Sequence, residues 1–159
     1  MKSRQNGFTL IEVMVVLLIL SLILSSGLYG WHHQQQQIRL LETVRRVADF
    51  IDSQLTDAIY LNDEKILKIS ISSEGEPWKL EVHSKAGIQS YLSSFADQFS
   101  DVLLITTNRS DISFYGKQGT THGFSLTFEN EAGKALVVVS SLGRVRICSI
   151  IKRQGVSKC

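Results

Sequence analysis

"GFTLIEVMVVLLILSLIL", Gly7 to Leu24, decides how the rest of the chain is read. It is apolar except for one carboxylate, Glu12, near its start. Lys2 and Arg4 precede it, and the apolar run continues to about Trp31. About 20 apolar residues suffice for a helix to span a bilayer. Basic residues before such a span, and a long mixed-charge segment after it, place the N-terminus in the cytoplasm. An ionised side chain inside hydrocarbon costs several kcal/mol, so Glu12 needs either a partner or a task. An ordinary secretory signal, cleaved near Ser25-Ser26-Gly27, is the competing reading. It gives no reason for Glu12, and the apolar run passes directly into a helical pattern.

The 159 residues fit one domain beside the apolar N-terminus, and a single proline, Pro77, argues against extended disorder. Net charge is +2, but its distribution is uneven. Between Gly143 and Cys159 stand Arg144, Arg146, Lys152, Arg153 and Lys158 with no acid; from Phe8 to Leu142, ten basic residues face fifteen acidic ones. A +5 tail behind a −5 body points to an anionic partner for the tail. Both cysteines, Cys148 and Cys159, lie in that tail. Export would favour a disulfide between them, whereas a cytosolic chain would keep thiols.

After Trp31 comes His32-His33 and a glutamine run without a helix breaker. Ile38, Leu41, Val44, Val47, Ile51, Leu55 and Ile59 then recur at spacings of three and four, which predicts an amphipathic helix ending near Tyr60. From Ile66 the period becomes two. A strand at 67–71, a turn at Glu74-Gly75-Glu76-Pro77 and a strand at 78–82 read as a hairpin. Further strands are expected at 102–106, 112–115, 123–128, 135–140 and 145–150, with turns at 116–119 and 130–133. The stretch 87–101 fits a helix or an ordered loop equally. A helix followed by antiparallel strands is α+β architecture. The expected organisation is a leader at 1–7, an anchor helix at 8–31, its amphipathic continuation at 32–60, and a β domain at 61–159 with the basic tail at 143–159.

No nucleophile elbow, phosphate loop, HExxH or CxxC motif occurs, so no enzyme is expected, and neither cofactor nor metal. His32 and His33 diverge by about 100° on a helix and cannot readily share one ion, and His83 and His122 lack ligand spacing.

Gly7-Phe8-Thr9-Leu10-Ile11-Glu12, behind a short basic leader, resembles the class III signal of type IV pilins and pseudopilins. The resemblance implies a pilin-like fold, a long helix on an antiparallel β domain. It further implies that a membrane-embedded prepilin peptidase cuts between Gly7 and Phe8 and methylates the new Phe8 terminus. Glu12 would then pair with the terminus of a neighbouring subunit in an apolar filament core and set its register. The chain would sit in the inner membrane with its C-terminal domain in the periplasm, and leave it for a pilus or pseudopilus of other pilins. Such export allows the Cys148–Cys159 bridge.

A second resemblance lies in "VVVSSLGRVRIC", 137–148. Alternation places Arg144 and Arg146 on one face of an extended segment, with Gly143 making the turn before them. By itself this also describes an edge strand kept soluble by charge. The pattern is similar to the FimT branch of the FimT/GspH minor-pilin family, where a Gly-Arg-x-Arg motif is associated with DNA binding in natural transformation. That implies double-stranded DNA as a partner of Gly143, Arg144 and Arg146, with Lys152, Arg153 and Lys158 as nearby charges. The GspH side of the family implies instead a structural tip subunit of a type II secretion system. A membrane-anchored domain outside any filament is the third alternative.

Overall fold

The computed structural model describes residues 9–72, 77–85, 91–96, 99–150 and 157–159, with only the backbone at 25–29, 91 and 92. The fold is α+β: helix α1 (Leu10–Leu61) is followed, among the described residues, by ten strands. Residues 1–35 and 36–159 form two compact units.

In the first unit the helix starts behind Thr9. The Glu12 N–H donates to the Thr9 carbonyl at 3.1 Å and to Thr9 Oγ1 at 3.4 Å. Thr9-x-x-Glu12 thus has the spacing of a capping box, with a carboxylate in the first turn, where the helix dipole favours it. Side chains from Leu10 to Leu24 are exposed. Among the described residues no helix is long and apolar enough to cross a membrane. Part of the expected 8–31 span, Phe8 and the side chains of 25–29, lies outside the described set.

In the second unit α1 buries Leu40, Val44, Val47, Ala48, Ile51, Leu55 and Ala58. Ile38 and Ile59, which the spacing assigns to this stripe, are 55% and 50% exposed instead. At 100° per residue they fall outside the arc that Leu40, Val47 and Ile51 share. The helix closes on a Schellman motif. Asn62 adopts φ 50°, its N–H donates to the Ile59 carbonyl at 3.2 Å, and the Asp63 N–H donates to that of Ala58 at 3.1 Å.

The strands are β1 (Lys65–Ser70), β2 (Lys79–Ser84), β3 (Tyr91–Ala96), β4 (Leu103–Thr107), β5 (Asp111–Tyr115), β6 (Thr120–Thr121), β7 (Phe124–Asn130), β8 (Gly133–Val139), β9 (Val145–Ser149) and β10 (Ser157–Lys158). They form two five-stranded sheets, ordered β3-β2-β1-β5-β6 and β10-β9-β8-β7-β4. The β1–β2 hairpin forms as its period-two pattern predicts, with Lys65 opposite Ser84 and Ser70 opposite Lys79; turn residues 73–76 lie outside the described set. Within 87–101, where a helix or loop was expected, the described part contains β3. It pairs with β2 through Leu80–Phe95, past a bulge at Val82/His83. Phe95 packs on Trp78 and Phe50 at centroid distances of 5.9 and 5.6 Å, and this burial outweighs the local helical spacing. One pairing departs from the antiparallel expectation: β10 runs parallel to β9.

One hydrophobic cluster joins the helix stripe to the inward side chains of both sheets, among them Leu67, Leu80, Phe114, Leu126, Phe128 and Val137. Trp78 lies fully buried within it, edge-on to Phe128 at 5.2 Å, and its Nε1–H donates to the Val102 carbonyl at 2.9 Å. Lys65 and Gln36 are two of the polar groups drawn into the packing, and both have partners. Buried Lys65 donates to Gln54 at 3.3 Å and lies 3.5 Å from Asp57. Buried Gln36 is held by the β7–β8 turn: Asn130 donates to its carbonyl at 2.8 Å, and its amide donates to Glu131 at 2.5 Å.

Candidate nucleic-acid interface

The β8–β9 hairpin carries the two arginines. Its strands pair from Ala135–Ser149 to Val139–Val145. Residues 140–144 close it with a three-residue loop that ends in a left-handed residue, Gly143. The Gly143 N–H donates to the Ser140 carbonyl, the Ser140 N–H donates to that of Arg144, both at 3.0 Å, and Ser140 Oγ accepts from the Arg144 N–H at 3.2 Å. Gly143 has φ 75°, and a Cβ there would stand 2.8 Å from the Gly119 carbonyl oxygen. Glycine is therefore required twice over, by backbone conformation and by close approach.

Beyond the turn, alternation sorts the side chains. Arg144 and Arg146 are exposed, while Val145 and Ile147 pack against the core. Residues two apart on a strand are separated by about 7 Å, close to the spacing of phosphates along an extended nucleic acid strand. Arg146 stands opposite Val138 across the ladder. Val138, Ser140, Leu142, Arg144 and Arg146 line a shallow groove of about 310 Å³. Leu142, 78% exposed, was not singled out in the sequence; its signal is an apolar residue in the middle of a polar turn.

Some cations elsewhere on the surface are ion-paired, whereas exposed Arg45, Lys68, Arg109 and Lys117 are in no salt bridge among the described residues. Arg46 pairs with Glu42, Lys79 with Glu81, Lys85 with Glu64, and Lys134 with Glu129. Hydrogen bonding from Lys79 holds the Glu81 carboxyl below its usual range, and Glu64 raises Lys85. Among the described residues, neither Arg144 nor Arg146 has a carboxylate partner. An unpaired guanidinium stays available to an incoming phosphate, whose geometry suits its planar fork.

Cys148 and Cys159 form a disulfide with Cα atoms 4.9 Å apart, returning the tail to β9. Exposed Lys158 therefore lies in β10, opposite Ser149. Lys152 and Arg153 lie outside the described residues, as do Gly7 and Phe8. Glu12 is exposed on the first unit. Among the described residues no group of histidine, cysteine, aspartate or glutamate could hold a metal. His122 instead makes an edge contact with Tyr115 at 5.7 Å.

Residues 2–28 match the family of the prokaryotic N-terminal methylation motif. That motif runs into α1, and the helix followed by two sheets has the arrangement of a type IV pilin-like fold. The particular likeness is to the type IV minor pilin FimU of Pseudomonas aeruginosa (strain PAO1). Its crystal structure superposes with a TM-score of 0.56 at 10% sequence identity, covering 70% of this chain and 90% of that one. At that identity the likeness is one of fold. No curated protein matches the chain in sequence.

Proposed function

We propose that the chain is a minor type IV pilin that binds DNA through Arg144 and Arg146 for uptake in natural transformation. In this reading prepilin peptidase cuts between Gly7 and Phe8 and methylates Phe8. The remaining helix holds the protein in the inner membrane with residues 32–159 in the periplasm. Glu12 then pairs with a neighbouring subunit's terminus as the chain enters a filament with other pilins. The observation that carries the DNA assignment is the pair of exposed arginines, Arg144 just before β9 and Arg146 within it, which among the described residues have no carboxylate partner. Lys158, and Lys152 and Arg153 beside it in sequence, add charge to the same tail.

Such binding is electrostatic and independent of sequence. The slope of log K against log salt is about −0.9 per phosphate contact, hence about −1.8 for two arginines and about −4.5 with all five basic residues. The full-length chain in non-ionic detergent is expected to retard double-stranded DNA with a slope in that interval. Arg144→Gln with Arg146→Gln is expected to abolish retardation while leaving the circular dichroism unchanged, because both side chains are exposed. Undiminished binding by this variant would refute the site. Absence of binding by the unmodified chain, together with a secretion defect on deletion, would favour the GspH-type pseudopilin.

The processing step has its own test. Mass spectrometry of protein recovered from cells is expected to show a chain beginning at methylated Phe8, and Gly7→Val is expected to leave the leader attached. A processed Gly7→Val chain would sink the assignment.

A further inference from the structure

The groove beside the arginines has apolar walls that a duplex has no use for. Double-stranded DNA keeps its bases stacked inside and offers a rim of phosphates, for which Arg144 and Arg146 suffice. Yet Val138 is 37% exposed and Leu142 78% exposed next to them, lining the same groove. A second feature lies alongside. The Thr121 N–H donates to the Ser141 carbonyl at 3.0 Å, joining β6 to the β8–β9 turn. The next residue on one side of this bond is His122, in ring contact with the half-exposed Tyr115; on the other it is Leu142. Gly119 and Gly143 approach each other at the same junction. Two cations and an apolar groove thus lie at the junction of β6 with the β8–β9 turn; the ring pair adjoins this junction through His122, while Tyr115 also lines a separate cavity with Asn62, Glu64 and Lys117.

That combination suits a strand whose bases are free. Proteins that bind single strands pair a basic track for the backbone with side chains on which bases stack, each base contributing about 1–3 kcal/mol on an aromatic ring. A volume near 310 Å³ is at the small end of pockets that take a compact organic group. Resting on the nucleic-acid reading above, we propose that this end binds single-stranded nucleic acid: phosphates on Arg144 and Arg146, bases against Leu142, Val138 and the Tyr115–His122 pair. An anionic lipid would also satisfy two cations beside an apolar groove. The ring pair, which an acyl chain does not require, favours bases.

The test compares three labelled probes of equal length on the full-length chain in zwitterionic detergent: an oligo-dT strand, an abasic strand carrying the same phosphates without bases, and a blunt duplex. Fluorescence anisotropy is expected to show oligo-dT binding about tenfold tighter than the abasic strand, the factor supplied by stacking one base. Leu142→Ser and Tyr115→Ala are each expected to narrow that ratio several-fold without changing abasic binding. Both residues are already exposed at the surface, so the fold tolerates them, and thermal melts of the variants check this. Equal affinity for oligo-dT and abasic strands, or tighter binding of the duplex, would overturn the inference while leaving the arginine assignment standing. Failure of all three probes would overturn both. Retention on phosphatidylglycerol vesicles that depends on Leu142, with no preference for bases, would assign the groove to lipid and overturn it too.

Discussion

Trp78→Ala is expected to leave the β domain unfolded or close to it at room temperature. Deleting a fully buried indole costs about 3–5 kcal/mol in transfer and cavity terms. The ring is also the contact between Phe95 and Phe128, so its loss opens space on both sides. The Val102 carbonyl, which accepts from Nε1 at 2.9 Å, is then left buried without that donor, at about 1–3 kcal/mol more. The sum of about 4–8 kcal/mol consumes most of the 5–15 kcal/mol that holds a typical domain together. Urea titration followed by near-ultraviolet circular dichroism measures it. Trp78→Phe separates the two contributions: it keeps most of the ring contact and forfeits the hydrogen bond, so its midpoint should fall between wild type and Trp78→Ala. An unchanged midpoint for Trp78→Ala would mean that the packing described around it does not support the fold.

Why the indole carries so much follows from how the two sheets meet, and that was the least legible part of the sequence. Period-two alternation marked β1, β2, β4, β5, β7, β8 and β9 because each buries one face, and a half-buried strand writes its exposure into its residues. β3 does not. Its anchor is Phe95, whose burial depends on Trp78 and on Phe50 of the helix, both distant in sequence. β6 and β10 have two residues each, too few for any period, and exist because of what they pair with. Ile38 and Ile59 show the converse error: spacings of three and four alone admitted them to a stripe that the true helical angle excludes. At the candidate site, the alternation of Arg144 and Arg146 and the turn at Gly143 were visible in the sequence. The groove beside them was not, because Val138 and Leu142 come to line it with the arginines only once β8 pairs with β9 and the turn between them closes. Glu12 sits between these cases. Its lone charge was visible in the sequence, but its place three residues after Thr9 at the start of α1 emerges from the structure, a local role compatible with any later partner the carboxylate takes in a filament.

Gly116→Ala is the substitution for which the smallest chemical change should have the largest consequence. The residue is buried in the turn after β5 and rests on the C-terminal cap of α1. A Cβ there would stand 2.3 Å from the Ala58 carbonyl oxygen and 2.8 Å from both the nitrogen and the carbonyl oxygen of Asp63. All three are backbone atoms, and two of them, the Ala58 oxygen and the Asp63 nitrogen, form the 3.1 Å hydrogen bond of the Schellman motif. No side-chain rotation can relieve the contact, so either the cap opens or the β5–β6 turn moves away. Overpacking of this kind costs about 1–3 kcal/mol and can exceed that when backbone must shift. A lost cap adds about 1 kcal/mol more. The displacement would not stay local. Three residues along the same turn, Gly119 meets Ile59 on one side and Gly143 on the other, and Gly143 sets the direction in which Arg144 leaves its hairpin. Gly116→Ala is therefore expected to lower the melting temperature by several degrees and, in the fraction still folded, to weaken nucleic-acid retention although no contact residue has changed. Thermal melting and anisotropy on the same sample read both effects. A destabilised variant with full affinity would show that the arginine hairpin holds its shape without support from the helix cap.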